Sequence, residues 1–144
     1  MKLIVFCLFA FCCYPLASSV TNGFGRSQES RKLEEVLSDL KKFKDSLQNS
    51  QQLVYTPQNI EDCCCLSALQ CFRDNLPDGA GKKRVKLYRS LKDPLTVKGL
   101  NFCDSENAQT TCQACSAHPQ QNATVFFNRL ETLIKSAIMR LRMN

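Results

Sequence analysis

Apolar residues recur three and four apart through Leu33, Val36, Leu37, Leu40, Phe43 and Leu47, while Arg31, Glu34, Glu35, Lys41, Lys42 and Asp45 occupy the other positions. This is the period of an amphipathic helix, and it predicts a first helix over about residues 30–48. Ser30 or Ser27 can cap it, because a serine oxygen accepts from the free amides of the first turn. The stretch NSQQLVYTPQN then breaks the period. Thr56-Pro57 has the form of a cap followed by proline at the first helical position, where the missing N–H costs nothing. A second helix is expected from there through Cys64, Ala68, Cys71 and Phe72 to about Asn75, ended by the turn residues of LPDGAG. Val85, Tyr88 and Leu91 recur every third residue and predict a short third helix over residues 82–91, stopping before Pro94. From Ala123 onward, Phe126, Phe127, Leu130, Leu133, Ile134, Ala137, Ile138 and Leu141 trace the widest apolar stripe in the chain. It predicts a fourth helix running almost to the last residue.

Residues 93–121 are left as one long connection, of the kind that is usually functional or pinned by cross-links. No stretch sustains β-alternation between turn signals, and no internal repeat is present. The expected fold is therefore all-α: four helices with a long crossover before the last, in a bundle that leaves room for small strand pieces in the crossovers.

The N-terminal end changes the picture. Lys2 precedes an apolar run over residues 3–14, and Ala17 and Ser19 are small residues at the −3 and −1 positions of a cleavage site. Residues 1–19 are thus expected to be a secretory signal peptide, too short to span a bilayer, which needs about 20 apolar residues. Residues 20–29 form a Gly- and Ser-bearing arm, and residues 30–144 the folded domain. Of the ten cysteines, Cys7, Cys12 and Cys13 fall in the signal. The remaining seven would then face an oxidising setting, and their odd number leaves at least one free, modified or paired between chains. The expected product is secreted and extracellular, monomeric, without membrane insertion and without a nucleic-acid partner. Its formal charge of +6 is modest.

The cysteines define the chemistry. Cys63, Cys64 and Cys65 are consecutive, Cys71 follows on the same predicted helix, and Cys112 and Cys115 lie just before the last helix. Two thiols on one helix facing two on a neighbouring segment is a layout for paired bridges. Cys112-x-x-Cys115 beside His118 resembles half a zinc site. Yet the chain has one histidine, and adjacent cysteines on a helix cannot all aim at one ion. No metal or cofactor is expected. A thiol-redox role for Cys112-x-x-Cys115 lacks its usual βαβ setting. No Ser/His/Asp, paired-carboxylate or Gly-rich phosphate-binding pattern stands out, so catalysis is not expected, and His118 reads as a surface residue. Asn122-Ala123-Thr124 is a glycosylation sequon in a polar stretch. Lys82, Lys83, Arg84, Lys86, Arg89 and Lys92 make residues 82–92 strongly basic, which fits an acidic receptor surface or heparan sulfate by charge steering.

Cys64-x-x-Ser67-Ala68-x-x-Cys71-Phe72, followed by Thr111-Cys112-x-x-Cys115 before the last helix, resembles the interleukin-2/interleukin-15/interleukin-21 family of short-chain four-helix cytokines. Arg31-x-Leu33-x-Glu35-Val36-Leu37-x-x-Leu40-Lys41 resembles the family's first helix. The stretch over residues 126–138, with Phe126, Arg129, Leu133 and Ile138, resembles its last. The resemblance spans about residues 30–141 and is loosest in the third helix.

It implies an up-up-down-down bundle with long crossovers, and the bridges Cys64–Cys112 and Cys71–Cys115. Cys63, Cys65 and Cys103 depart from the family pattern. On a helix, Cys63 and Cys65 would flank Cys64 by about 100° each way, so either could take Cys103 as a third bridge. The implied function is to join two cell-surface chains on immune cells, with no chemistry. One is a private class I cytokine receptor (interleukin-21 receptor-like), the other the common cytokine receptor gamma chain. Arg31 and Glu35 become candidate private-receptor contacts. Where relatives carry a glutamine that reaches the gamma chain, this chain has Lys135, which can donate a hydrogen bond but not accept one. The rival from another class is a secreted cationic helical defence protein acting on membranes, suggested by the net charge and the basic third helix.

Overall fold

A computed structural model of the chain describes residues 27–47, 51–79, 81–102 and 111–143. The expected signal segment and most of the expected N-terminal arm lie outside these residues. Helix α1 spans Gln28–Ser46, two residues earlier than the apolar period suggests, because Ser27 is the cap. The Ser27 Oγ accepts from the Ser30 amide at 3.1 Å, and Ser30 is buried inside the first turn. Leu33, Val36, Leu40 and Phe43 form the buried face, as their spacing predicts.

The second helix does not begin at Pro57. Leu53–Tyr55 is a strand, β1, paired antiparallel with a second strand, β2 (Gln120–Asn122), with Val54 opposite Gln121. Thr56 continues this pairing through its amide, which donates to the Pro119 carbonyl at 2.9 Å. Its hydroxyl donates back to the Val54 carbonyl at 2.8 Å, so it caps nothing. A 3-10 turn at Asp62–Cys64 then leads into α2, Cys65–Asp74. Helix α3 is Lys82–Lys92. The connection after it is more structured than expected. Helix α4, Pro94–Gly99, starts at once, with the Asp93 carboxylate accepting from the Leu95 amide at 2.8 Å. Beyond it come a 3-10 turn at Cys115–Ala117, strand β2 and the last helix α5, Ala123–Met143. The fold is mostly helical, and β1–β2 is the one strand pairing among the described residues.

Contacts at both ends of each helix pair fix their relative directions. Between α1 and α5, Phe43 meets Phe127 at one end with centroids 5.4 Å apart, and Arg142 reaches Glu34 at the other, 2.7 Å away. These helices run antiparallel. Phe72 packs on Phe126 at 5.2 Å and Asp62 meets Arg140 at 2.6 Å, so α2 also runs against α5. Lys32 approaches Asp93 while Asp39 takes the Ser90 hydroxyl, so α1 and α3 are antiparallel too. The core is centred on edge-to-face rings running Phe43–Phe127–Phe126–Phe72 through three helices. Each such ring pair adds about 0.5–1.5 kcal/mol beyond its buried area. Helix α4 lies close against α1: a Cβ built on Gly99 would stand 3.0 Å from Leu33 Cδ1.

Candidate functional site

Two disulfides tie the start and middle of α2 to the segment ahead of β2. Cys64–Cys112 and Cys71–Cys115 have Cα–Cα distances of 5.5 and 5.3 Å. They span 48 and 44 residues, and closing loops of that length stabilises by about 4 kcal/mol each in the chain-entropy model. Cys63 and Cys64 lie in the 3-10 turn and Cys65 opens α2, so the three consecutive cysteines do not share one α-helix. Cys65 is buried and free, and burial pushes its thiol pKa up. Of the two thiols considered for a third bridge, Cys65 is therefore not the one. Cys63 is disulfide-bonded, and its partner lies outside the described residues, as does Cys103.

His118 is not a plain surface residue. It is half-buried and its Nδ1 has no hydrogen-bond partner; burial lowers its pKa. It borders a cavity of about 310 Å³ beside the Cys64–Cys112 bridge, with Glu61 and Ser67. No group of three or more metal-ligating side chains occurs among the described residues.

The charged candidates sort by what already holds them. Arg31 and Glu35 are both exposed on α1 and, with Gln28, Lys32 and Leu95, line a shallow groove between α1 and α4. Glu35 accepts from Lys32 at 2.8 Å. That hydrogen bond, together with the nearby Asp93, raises the Lys32 pKa. The Arg31 guanidinium has no ion pair or hydrogen bond among the described residues. Lys135 is exposed on α5 but not unengaged, since it meets Glu131 at 2.6 Å. The Lys135 bond is the main reason the Glu131 pKa is lowered, with Lys44 and Lys41 adding to it.

The basic stretch on α3 is not uniform. Arg84 turns inward to the α2–α3 connection, donating to the Pro77 and Leu76 carbonyls at 3.1 Å each. Lys86 lies 3.4 Å from Asp39, and Lys92 sits over the Tyr88 ring at 5.9 Å. Lys82, Lys83 and Arg89 are exposed, with no ion pair or side-chain hydrogen bond among the described residues. Asn122 is also exposed, and its Oδ1 accepts from the Val125 amide at 3.0 Å, capping α5.

Sequence reasoning missed Asp39. This carboxylate is 3 % exposed, takes the Ser90 hydroxyl at 2.7 Å and joins α1 to α3. The signal was present: Asp39 falls three after Val36 and four before Phe43, inside the apolar period. A second groove was missed, of about 480 Å³, between residues 57–62, Phe102 and α5. Arg129 donates across it to Gln58 at 3.0 Å, and Arg140 bonds Asp62 while resting on the Phe102 ring.

No protein-family model matches the chain, and no curated protein matches it in sequence. No helix among the described residues is long and apolar enough to cross a membrane.

Proposed function

We propose that this chain is a secreted short-chain four-helix cytokine of the interleukin-2/interleukin-15/interleukin-21 type, nearest in its motifs to interleukin-21. On this reading it acts as a monomer that bridges a private class I receptor and the common gamma chain. The observation that carries the reading is the set of helix directions. With α5 antiparallel to α1 and α2, and α3 antiparallel to α1, the contacts support an up-up-down-down order of these four helices, with α4 read as a short extra helix in the last crossover. Parallel neighbours in sequence demand long crossovers, and antiparallel ones take short turns. Residues 47–64 and 93–122 fit the first requirement and residues 75–81 the second. The β1–β2 pairing joins the two crossovers, and the two disulfides tie α2 to the second of them.

In such a protein function is binding, and separate helix faces meet separate receptors. Arg31 and Glu35 on α1 offer charges to the private chain. Lys135 on α5, taken with its partner Glu131, offers both a donor and an acceptor to the gamma chain, which lysine alone does not supply. The test is surface plasmon resonance of the secreted protein on receptor ectodomains. Binding to the private chain alone, and gamma-chain capture strengthened by it, are expected. Failure to bind either ectodomain, with helicity intact and vesicle leakage induced instead, would give the chain to the membrane-active class.

A further inference from the structure

The first turn of helix α3 is built against its own electrostatics, whereas Arg89 and Lys92 in its last turn suit the helix dipole. Lys82, Lys83 and Arg84 fill its first turn, Gly81 gives no side-chain cap, and no acidic residue is present there. The N-terminal end of a helix carries partial positive charge, so cations placed there are unfavourable. Residues 82–92 hold six Lys or Arg and no Asp or Glu, so the helix does not supply its own counter-charge. Two of the six are occupied within the fold: Arg84 by the carbonyls of the preceding turn, and Lys86 by buried Asp39. Lys82, Lys83, Arg89 and Lys92 remain on the outside. Lys82, Arg89 and Lys92, seven and three residues apart, line one side of the helix along about 15 Å. Lys83 widens the basic end. Cations kept on the surface at Lys82 and Lys83, a locally unfavourable place, are expected at an interaction site, and Arg89 and Lys92 extend that charge along the helix.

We infer that the outer side of α3, through Lys82, Lys83, Arg89 and Lys92, binds a linear sulfated polysaccharide. An exposed row of cations along a helix matches a rod of regularly spaced sulfates, to which the lysine ammoniums and the Arg89 guanidinium donate. The stripe offers no aromatic platform for stacking bases, because the Tyr88 ring is covered by Lys92. The interaction stands apart from the receptor reading, and either can fail without the other.

The test uses the full secreted chain and heparin as probe, by affinity chromatography and by titration over a salt series. Lys82→Gln with Lys83→Gln and Arg89→Gln should weaken heparin binding about tenfold or more near 0.15 M salt. It should also flatten the log–log salt dependence by about three, one per lost contact. Arg89→Gln should lose more than Lys86→Gln, whose cation is drawn to Asp39. The pair Lys41→Gln and Lys135→Gln removes charge near Glu131 on the α1/α5 side; it should change affinity less than twofold. Circular dichroism should match wild type throughout. Equal loss from the Lys41/Lys135 pair would overturn the stripe. Equally tight binding of desulfated heparin, or of duplex DNA, would overturn the ligand class.

Discussion

Cys65 lies between chemistry and packing. Its neighbours Cys63 and Cys64 are both bonded, while its own thiol is 5 % exposed and pushed toward the neutral form by burial. A thiol reacts as the thiolate, so one held neutral by burial, with the Asp62 carboxylate adding to the effect, reacts slowly. Native protein should therefore resist iodoacetamide, and denaturation without reductant should expose one thiol that labels quickly. Peptide mapping of the same material should find Cys64 with Cys112, Cys71 with Cys115, and Cys63 with Cys103, the one cysteine outside the signal segment otherwise unassigned. Rapid native labelling of Cys65 would contradict its burial. At Glu131 the same scale gives a pH dependence. Its folded-state pKa is lowered, so its pairing stabilises above the unfolded carboxylate value near 4.3 and is lost as pH falls through the folded value. Lys135→Gln should cost about 0.2–0.5 kcal/mol at pH 7. That difference should shrink as pH falls through the folded value, and thermal melts at pH 7 and along an acid series would measure it.

At the scale of elements, local signals and distant partners pull apart. The α1 and α5 stripes were legible because every period places another apolar residue in the core, so errors of two residues at an end cost the reading nothing. The cap-plus-proline signal fared worse. Thr56-Pro57 reads as a helix start, yet Thr56 is held by the Pro119 carbonyl, 63 residues away in sequence, and no local pattern announces that bond. Asp93-Pro94 is the same signal, and there it does start a helix, because Gly99 lets α4 settle on Leu33 of α1. The cysteine layout was legible from spacing, whereas the pairing of the bridges came from a resemblance rather than from periodicity. The third bridge could not be resolved from spacing, since a 3-10 turn at Asp62–Cys64 rotates the cysteines differently from an α-helix. Two consequences follow for single elements. Phe126 is fully buried and edge-on to both Phe72 and Phe127, so Phe126→Ala should cost about 3–5 kcal/mol in chemical denaturation. Asn122 caps α5 from an exposed position. Protein from a glycosylating host should lose mass on amidase treatment, and Asn122→Ala should lose both the glycan and about 1 kcal/mol of stability. An unchanged mass would leave the sequon unused.

For the whole molecule, the helix directions put the two candidate receptor regions on opposite sides of α1. One is the α1/α4 groove with Arg31 and Glu35, near the seam where Asp39 joins α1 to α3. The other is the α1/α5 side, where Lys135 and Glu131 sit near Lys41 and Lys44. If the chain bridges two receptors, charge changes on these faces should damage separate contacts and leave the core untouched. Arg31→Glu reverses a charge that has no partner within the described fold. It should slow association with the private receptor, because replacing attraction by repulsion acts mainly on encounter, and its thermal midpoint should stay near wild type. Lys135→Glu removes one attraction and sets two carboxylates four residues apart, so a helix loss of about 0.5–1 kcal/mol is expected. Lys135→Gln is the cleaner companion. Both Lys135 variants should reduce gamma-chain recruitment and signalling more than private-receptor affinity, and Arg31→Glu should do the reverse. Ectodomain binding and receptor-tail phosphorylation, measured on the same preparations, separate the two. If all three variants bound and signalled like wild type, neither face would carry the function, although the helical fold and its disulfides would stand.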